Sequence, residues 1–168
     1  TETKCLIKAF QGIKSNNEKL ANLVNTAKDK ILAYYTDNCH LVLQDAERMV
    51  GMQQYNDALA ILVGVPQACE ECYTACQTKA VDVYKLLIGH EGKQLIQNAR
   101  SAWLVKRDYD CAEKALDILA KVNPHAPCQS EANALIADIN KQLRKIEATK
   151  AAAAKAQWDF KLKQYEDK

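Results

Sequence analysis

From Leu20 onward the apolar side chains step forward by three or four positions. They pass through Val24, Ala27, Ile31, Tyr34 or Tyr35, Asn38 or Cys39, Val42 and Ala46 to Met49 or Val50. This is the period of one face of an α-helix, not the alternation of a half-buried strand. No Pro or Gly interrupts it before Gly51. The pattern predicts one helix over about Asn16 to Gln53, with Ser15 or Asn16 offering an oxygen to its first free N–H groups. So long an amphipathic helix must be covered by other elements, and the rest of the chain supplies more helices.

A second helical stretch runs from Tyr73 through Cys76, Ala80, Val83, Leu87, Leu95, Ala99 and Trp103 to Lys106. Its middle carries Gly89-His90-Glu91-Gly92, and a glycine costs ~1 kcal/mol relative to alanine inside a helix. A kink or a break is therefore expected there. A third stretch runs from Ala132 through Ile136, Ile139, Leu143 and Ile146 to Trp158, and Ala151 to Ala154 favour its continuity. Two shorter helices lie between, at Tyr55 to Leu62 and Tyr109 to Leu119. Each is followed by a proline, Pro66 or Pro124, which cannot donate to a helix and clashes with the preceding turn. With only 5 Gly and 3 Pro in 168 residues, little punctuation remains for a many-stranded fold.

The segments repeat, at a spacing in the mid-fifties. Ala46, Ala99 and Ala154 align, as do Tyr55, Tyr109 and Tyr165; Trp103 aligns with Trp158, Pro66 with Pro124, and Cys72 with Cys128. Such self-similarity predicts an all-α solenoid of long/short helical hairpins, about two and a half repeats long, over residues 16–168. The third copy reaches Tyr165, where its short helix is due, so either the last long helix shows an uncovered apolar stripe or the native chain continues. Leu6, Phe10 and Ile13 have helical spacing and predict a short leading helix within residues 1–15, a cap on the stack or a remnant of an upstream domain.

Asp108-Tyr109-Asp110-Cys111-Ala112, followed by Ala115-Leu116 and Asn123-Pro124, resembles the second-helix signature of tetratricopeptide repeats. In that family small alanines let paired helices approach, Tyr fills the groove and Pro sets the next turn. Ala112 to Pro124 keeps the family spacing of twelve residues, whereas Ala58 to Pro66 spans eight. The period exceeds the family's 34 residues, and the first helix of each pair is overlong, so the likeness is to the family's manner rather than its standard array. More loosely, Asn38-Cys39, Val65-Pro66 and Cys72-Tyr73 resemble uncharacterised helical-repeat proteins of Bacteroidales. That likeness implies an upstream domain and an extracytoplasmic location, and no known activity.

Of the 23 basic and 21 acidic residues, 15 of each lie before Gln129, so no concentrated basic face marks a nucleic-acid binder. No apolar run approaches the ~18 residues of a membrane span. His40, His90 and His125 lie far apart without a recurring Asp, Ser or Cys arrangement. Gly89-x-x-Gly92 follows no strand and reads as a helix feature, not a phosphate loop. Glu70-Glu71 suit the positive end of the helix they precede. Neither a catalytic set nor a cofactor motif emerges.

The chemical signal lies in the seven cysteines, Cys5, Cys39, Cys69, Cys72, Cys76, Cys111 and Cys128. From Cys39 the long helix descends ~21 Å at 1.5 Å per residue, and the short helix climbs ~17 Å back, returning Cys69 and Cys72 near the height of Cys39. A Cys39–Cys72 disulfide would close that hairpin, and it would favour an oxidising compartment. By the same register the partner of Cys128 falls near Gly92. Three other readings stand beside it. The cysteines can be buried thiols acting as small hydrophobes. Cys39, His40, Cys69 and Cys72 can hold zinc. Cys69-x-x-Cys72 can be a redox pair, though no βαβ context surrounds it.

The pattern points to a non-enzymatic scaffold that binds a protein or peptide on a helical-repeat surface, without cofactor, metal or nucleic acid. The alternative is a spacer or assembly module of a larger cell-envelope protein. Extracytoplasmic placement is favoured over cytoplasmic. Trp103 and Trp158 are candidates for an interaction surface, against the competing reading that both are packing residues.

Overall fold

The computed structural model describes residues 18–166, with side chains as far as residue 163. The leading helix expected over residues 1–15, the cap at Ser15 or Asn16, and Cys5 lie outside the described residues. Among the described residues every regular element is an α-helix: α1 Glu18–Asp37, α2 Cys39–Gly51, α3 Tyr55–Val63, α4 Glu70–Leu104, α5 Tyr109–Leu119 and α6 Gln129–Glu166. The chain is all-α, as its periodicity requires. No described helix is long and apolar enough to cross a membrane.

The chain divides between Leu87 and Ile88, inside α4, into two compact units. In the first, α2, α3 and the start of α4 share a core built on Ala46, Ala58, Leu62, Val65, Cys76 and Val83. The alanines stand where the helices face one another, and a small side chain there lets two backbones approach. In the second unit Ile96, Ala99 and Trp103 of α4 share a core with Ala112 and Ala115 of α5 and Ile139 of α6. Ion pairs join helices within both units, Lys79–Glu47 at 2.6 Å in the first and Arg100–Glu131 at 3.0 Å in the second. Both pairs are largely solvated, so each is worth at most ~1 kcal/mol.

Two expectations about continuity are corrected. The helix read as unbroken from Asn16 to Gln53 is interrupted at Asn38, whose backbone leaves the helical region at φ −113° and ψ 20°. The Asn38 side-chain amide donates to the Tyr34 carbonyl at 2.9 Å, the same carbonyl its own backbone N–H uses at 2.9 Å. A short amide that competes for the backbone in this way disturbs a helix without altering its apolar period. In contrast, of the kink or break expected at Gly89 to Gly92, the break does not occur: α4 is helical across both glycines.

The reason lies in packing. A Cβ on Gly92 would collide with the Cys128 sulfur, and one on Gly89 would sit 3.5 Å from the Pro127 ring. Gly92 admits the turn that leads into α6. At Gly92 the free energy of that close approach outweighs the poor helix propensity of glycine, whereas at Gly89 a methyl would meet only ordinary contact.

The turns between long and short helices are built alike. α2 ends with Gln53 at φ 60°. There the Gln54 N–H reaches the Met49 carbonyl and the Gln53 N–H the Val50 carbonyl, both at 2.9 Å, the paired bonds of a Schellman motif. Beyond α4, Arg107 takes φ 54° and its N–H reaches the Trp103 carbonyl at 3.2 Å. Both positions precede the tyrosine that opens a short helix by two residues. The two short helices start differently. The Asp108 carboxylate caps α5 by accepting the Cys111 N–H at 2.9 Å, while Gln54 before α3 makes no side-chain cap. That bond, with the further hydrogen bonding of Cys111, holds the Asp108 carboxyl below the usual carboxylate range.

Candidate functional site

Two features could carry function, a cluster of sulfurs in the first unit and an apolar stripe on α6 in the second.

The cluster begins with the register of the first hairpin. Cys39 opens α2 just past the Asn38 interruption, and Cys72 lies in the first turn of α4. Their Cα atoms are 5.5 Å apart and their sulfurs stand at disulfide-bonding distance. Cys76 lies one turn further along α4, so its sulfur falls on the same face as that of Cys72, 4.0 Å away. The sulfurs of Cys39, Cys72 and Cys76 all lie within 4.8 Å of one another. Cys72 is 4% exposed and Cys76 0%. Burial raises the Cys76 thiol above its ordinary pKa, as an apolar setting disfavours thiolate.

The zinc set offered by the sequence is not assembled. His40 is exposed on the first turn of α2, and Cys69 is not a member of the three-sulfur group. The Cys69 S–H instead donates to the Leu32 carbonyl at 3.5 Å. Burial raises the Cys69 pKa, partly offset by a hydrogen bond with Thr36. Cys76 is the member that the Cys-x-x-Cys spacing does not reach. Its signal is nonetheless present in the sequence, a cysteine four positions after Cys72 and hence on the same helical face. Beside the cluster a groove of about 400 Å³ is lined by Thr36, Cys39, Ala68, Cys69, Glu70, Glu71 and Cys72.

The second unit repeats this geometry without its chemistry. Cys128, the counterpart of Cys72, faces Gly92 where Cys72 faces Cys39. This is the register the repeat predicts. The Cys128 sulfhydryl makes a long contact of 3.9 Å with the Gly89 carbonyl. Cys111 and Cys128 are buried thiols, small apolar groups in a core.

The two tryptophans part company. Trp103 is 3% exposed and packs in the core with α5 residues, as the packing reading has it, so it offers no surface to a partner. Trp158, at the matched position of α6, is 67% exposed. Ala154, matched to buried Ala99, is also exposed, and so are Ala151 and Leu162. Ala151, Ala154, Trp158 and Leu162 are three or four positions apart and line one helical face. Nearer the core, Tyr109 of α5 leans on α6. The Lys150 ammonium lies 4.9 Å from its ring centre, while burial and then the Glu147 carboxylate, which takes its hydroxyl hydrogen bond, raise its pKa.

Fold and site together define an all-α chain of two compact units, with a thiol cluster in one unit and an exposed apolar stripe in the other. Compared with known protein families, with curated proteins and with solved structures, the chain finds no match.

Proposed function

We propose that this chain is a non-enzymatic protein–protein interaction scaffold, a tetratricopeptide-like α-solenoid of long and short hairpins that takes a partner helix or peptide on its helical surface. The observation that carries this reading is the pairing of Ala99 and Trp103 with Ala154 and Trp158. The first pair shares a core with the short helix α5; the second presents the same side chains uncovered. A face that one repeat fills with an amphipathic helix suits a helix of similar make in the next, with small residues spaced to admit the Trp158 ring. Exposed tryptophan in an apolar stripe is also a common anchor of protein interfaces.

The test uses a peptide with the sequence of residues 108–120 as a stand-in for the partner helix. In a Trp103→Phe variant Trp158 is the sole tryptophan. Saturable blue-shifting of its emission on titration, abolished by Leu162→Ser, supports the reading. An unchanged emission up to the solubility limit of the peptide removes it.

The second reading, a spacer or assembly module of a cell-envelope protein, is favoured by the placement of Cys39 and Cys72, since disulfides persist in oxidising compartments. Thiol counting with peptide mapping on protein isolated unreduced from its native host separates the two settings. A Cys39–Cys72 bridge moves the search for partners to the envelope; free Cys39 and Cys72 move it to the cytosol.

A further inference from the structure

We propose that Cys39, Cys72 and Cys76 form a redox-gated three-thiolate site for a thiophilic d10 cation, zinc in particular. This goes beyond the scaffold reading and stands independently of it. Three sulfurs from two helices converge within 4.8 Å of one another, two of them on adjacent turns of α4. Thiolates around a tetrahedral zinc, each at about 2.3 Å from the metal, lie roughly 3.8 Å apart. The Cys72 and Cys76 sulfurs, 4.0 Å apart, already approach that separation. Only Cys39 must move, its sulfur swinging away from that of Cys72 once the bond between them is open. A backbone spacing of 5.5 Å between Cys39 and Cys72 accommodates both states.

Charge selects the ion. Three thiolates around Zn²⁺ leave a net charge of −1, whereas Cu⁺ leaves −2, the costlier burden in a buried setting. The positive end of the α4 dipole, where Cys72 sits, offsets the remaining negative charge. The groove that reaches Cys39 and Cys72 leaves a direction from which water can complete the coordination, as in zinc sites with three protein ligands.

The gate is the disulfide. With the bond closed, two of the three ligands are spent and the site cannot form. A dithiol reductant delivers two electrons and two protons, becoming a disulfide itself and leaving Cys39 and Cys72 as thiols. Zinc then displaces the three sulfhydryl protons to solvent. One hairpin is thus tied at the same place by a covalent bond when oxidised and by metal when reduced.

The test uses the full chain, prepared metal-free in oxidised and in phosphine-reduced form and titrated with Zn²⁺ against a chromophoric chelator, with Co²⁺ as the spectroscopic probe. The expected result is one zinc per reduced chain, none per oxidised chain, and thiolate-to-cobalt charge-transfer absorption only after reduction. Cys76→Ala and Cys76→Ser lower zinc affinity by about 100-fold or more, since a ligand and not a neighbour is lost. Cys128→Ser leaves it unchanged. Both Cys76 variants are checked for folding by melting in the oxidised form, whose disulfide does not use that thiol. Undiminished zinc binding by a folded Cys76 variant, or binding that Cys69→Ala abolishes and Cys76→Ala does not, overturns the site. So does zinc binding by the oxidised chain, or none by the reduced one.

Discussion

At the scale of single residues, the turns into the short helices rest on side chains in unfavourable backbone states. Gln53 at φ 60° and Arg107 at φ 54° occupy the left-handed position that ends a helix, where glycine is the usual resident. A side chain there costs ~1–2 kcal/mol, while a glycine gives back ~0.5–1 kcal/mol by loosening the unfolded chain. Gln53→Gly and Arg107→Gly should therefore each stabilise by about 0.5 kcal/mol, read as a higher urea midpoint at unchanged slope. A fall in midpoint would mean that the side chains make contacts worth more than the strain.

Asp108 has the opposite character, a residue suited to its place. Its carboxyl is held below the ordinary range by the Cys111 N–H, so its ionised form stabilises the fold above the unfolded pKa of about 3.9. That contribution disappears as pH falls through the lower folded value. Asp108→Asn should flatten the pH dependence of the melting temperature in this acid window and leave the curve near neutrality nearly parallel to the parent's. A parallel curve at acid pH as well would show that the cap does not titrate with folding.

At the scale of elements, what the sequence made legible was period and punctuation. The short helices were readable from their apolar steps and the prolines after them, and α5 starts and stops where the pattern says. Breaks were less legible, because they depend on competition that the apolar period does not record. At Asn38 a polar side chain takes a backbone carbonyl, and the apolar steps run on regardless. At Gly89 and Gly92 the intrinsic preference points to a break, yet the helix runs on, and at Gly92 the neighbouring turn rewards bare backbone. The thiol cluster was half legible for a related reason. Hairpin arithmetic brings Cys39 to Cys72, but Cys76 joins them only through the helical face it shares with Cys72.

The two glycines give a matched prediction. Gly89→Ala meets only ordinary contact with Pro127 and gains helix propensity, so it should stabilise by up to ~1 kcal/mol. Gly92→Ala drives a methyl into the Cys128 sulfur and should destabilise by about 1–3 kcal/mol. Pairing Gly92→Ala with Cys128→Ala should recover most of that loss, measured as a non-additive double-mutant cycle. Additive effects would place the strain elsewhere.

At the scale of the whole molecule, the two units share one helix but not one set of constraints. The loop closed between Cys39 and Cys72, 33 positions apart, lies within the first unit and takes in α2 and α3. Nothing covalent closes the second unit at the matched place, where Gly92 faces Cys128. By chain entropy a loop of this length stabilises its fold by about 3–4 kcal/mol. Reduction should therefore loosen the first unit selectively. In native-state hydrogen exchange, protection of α2 and α3 should fall by about two orders of magnitude or more, as a loss of that size implies. Protection of α5 and the start of α6 should hold. The contrast arises from where the loop lies, since its closure entropy is returned only to the segment it encloses. If protection falls equally in both units, α4 transmits the loss and the chain unfolds as one cooperative body. If zinc added to the reduced chain restores protection in α2 and α3 alone, metal and disulfide act on the same hairpin, and the thiol cluster sets the stability of the first unit in either redox state.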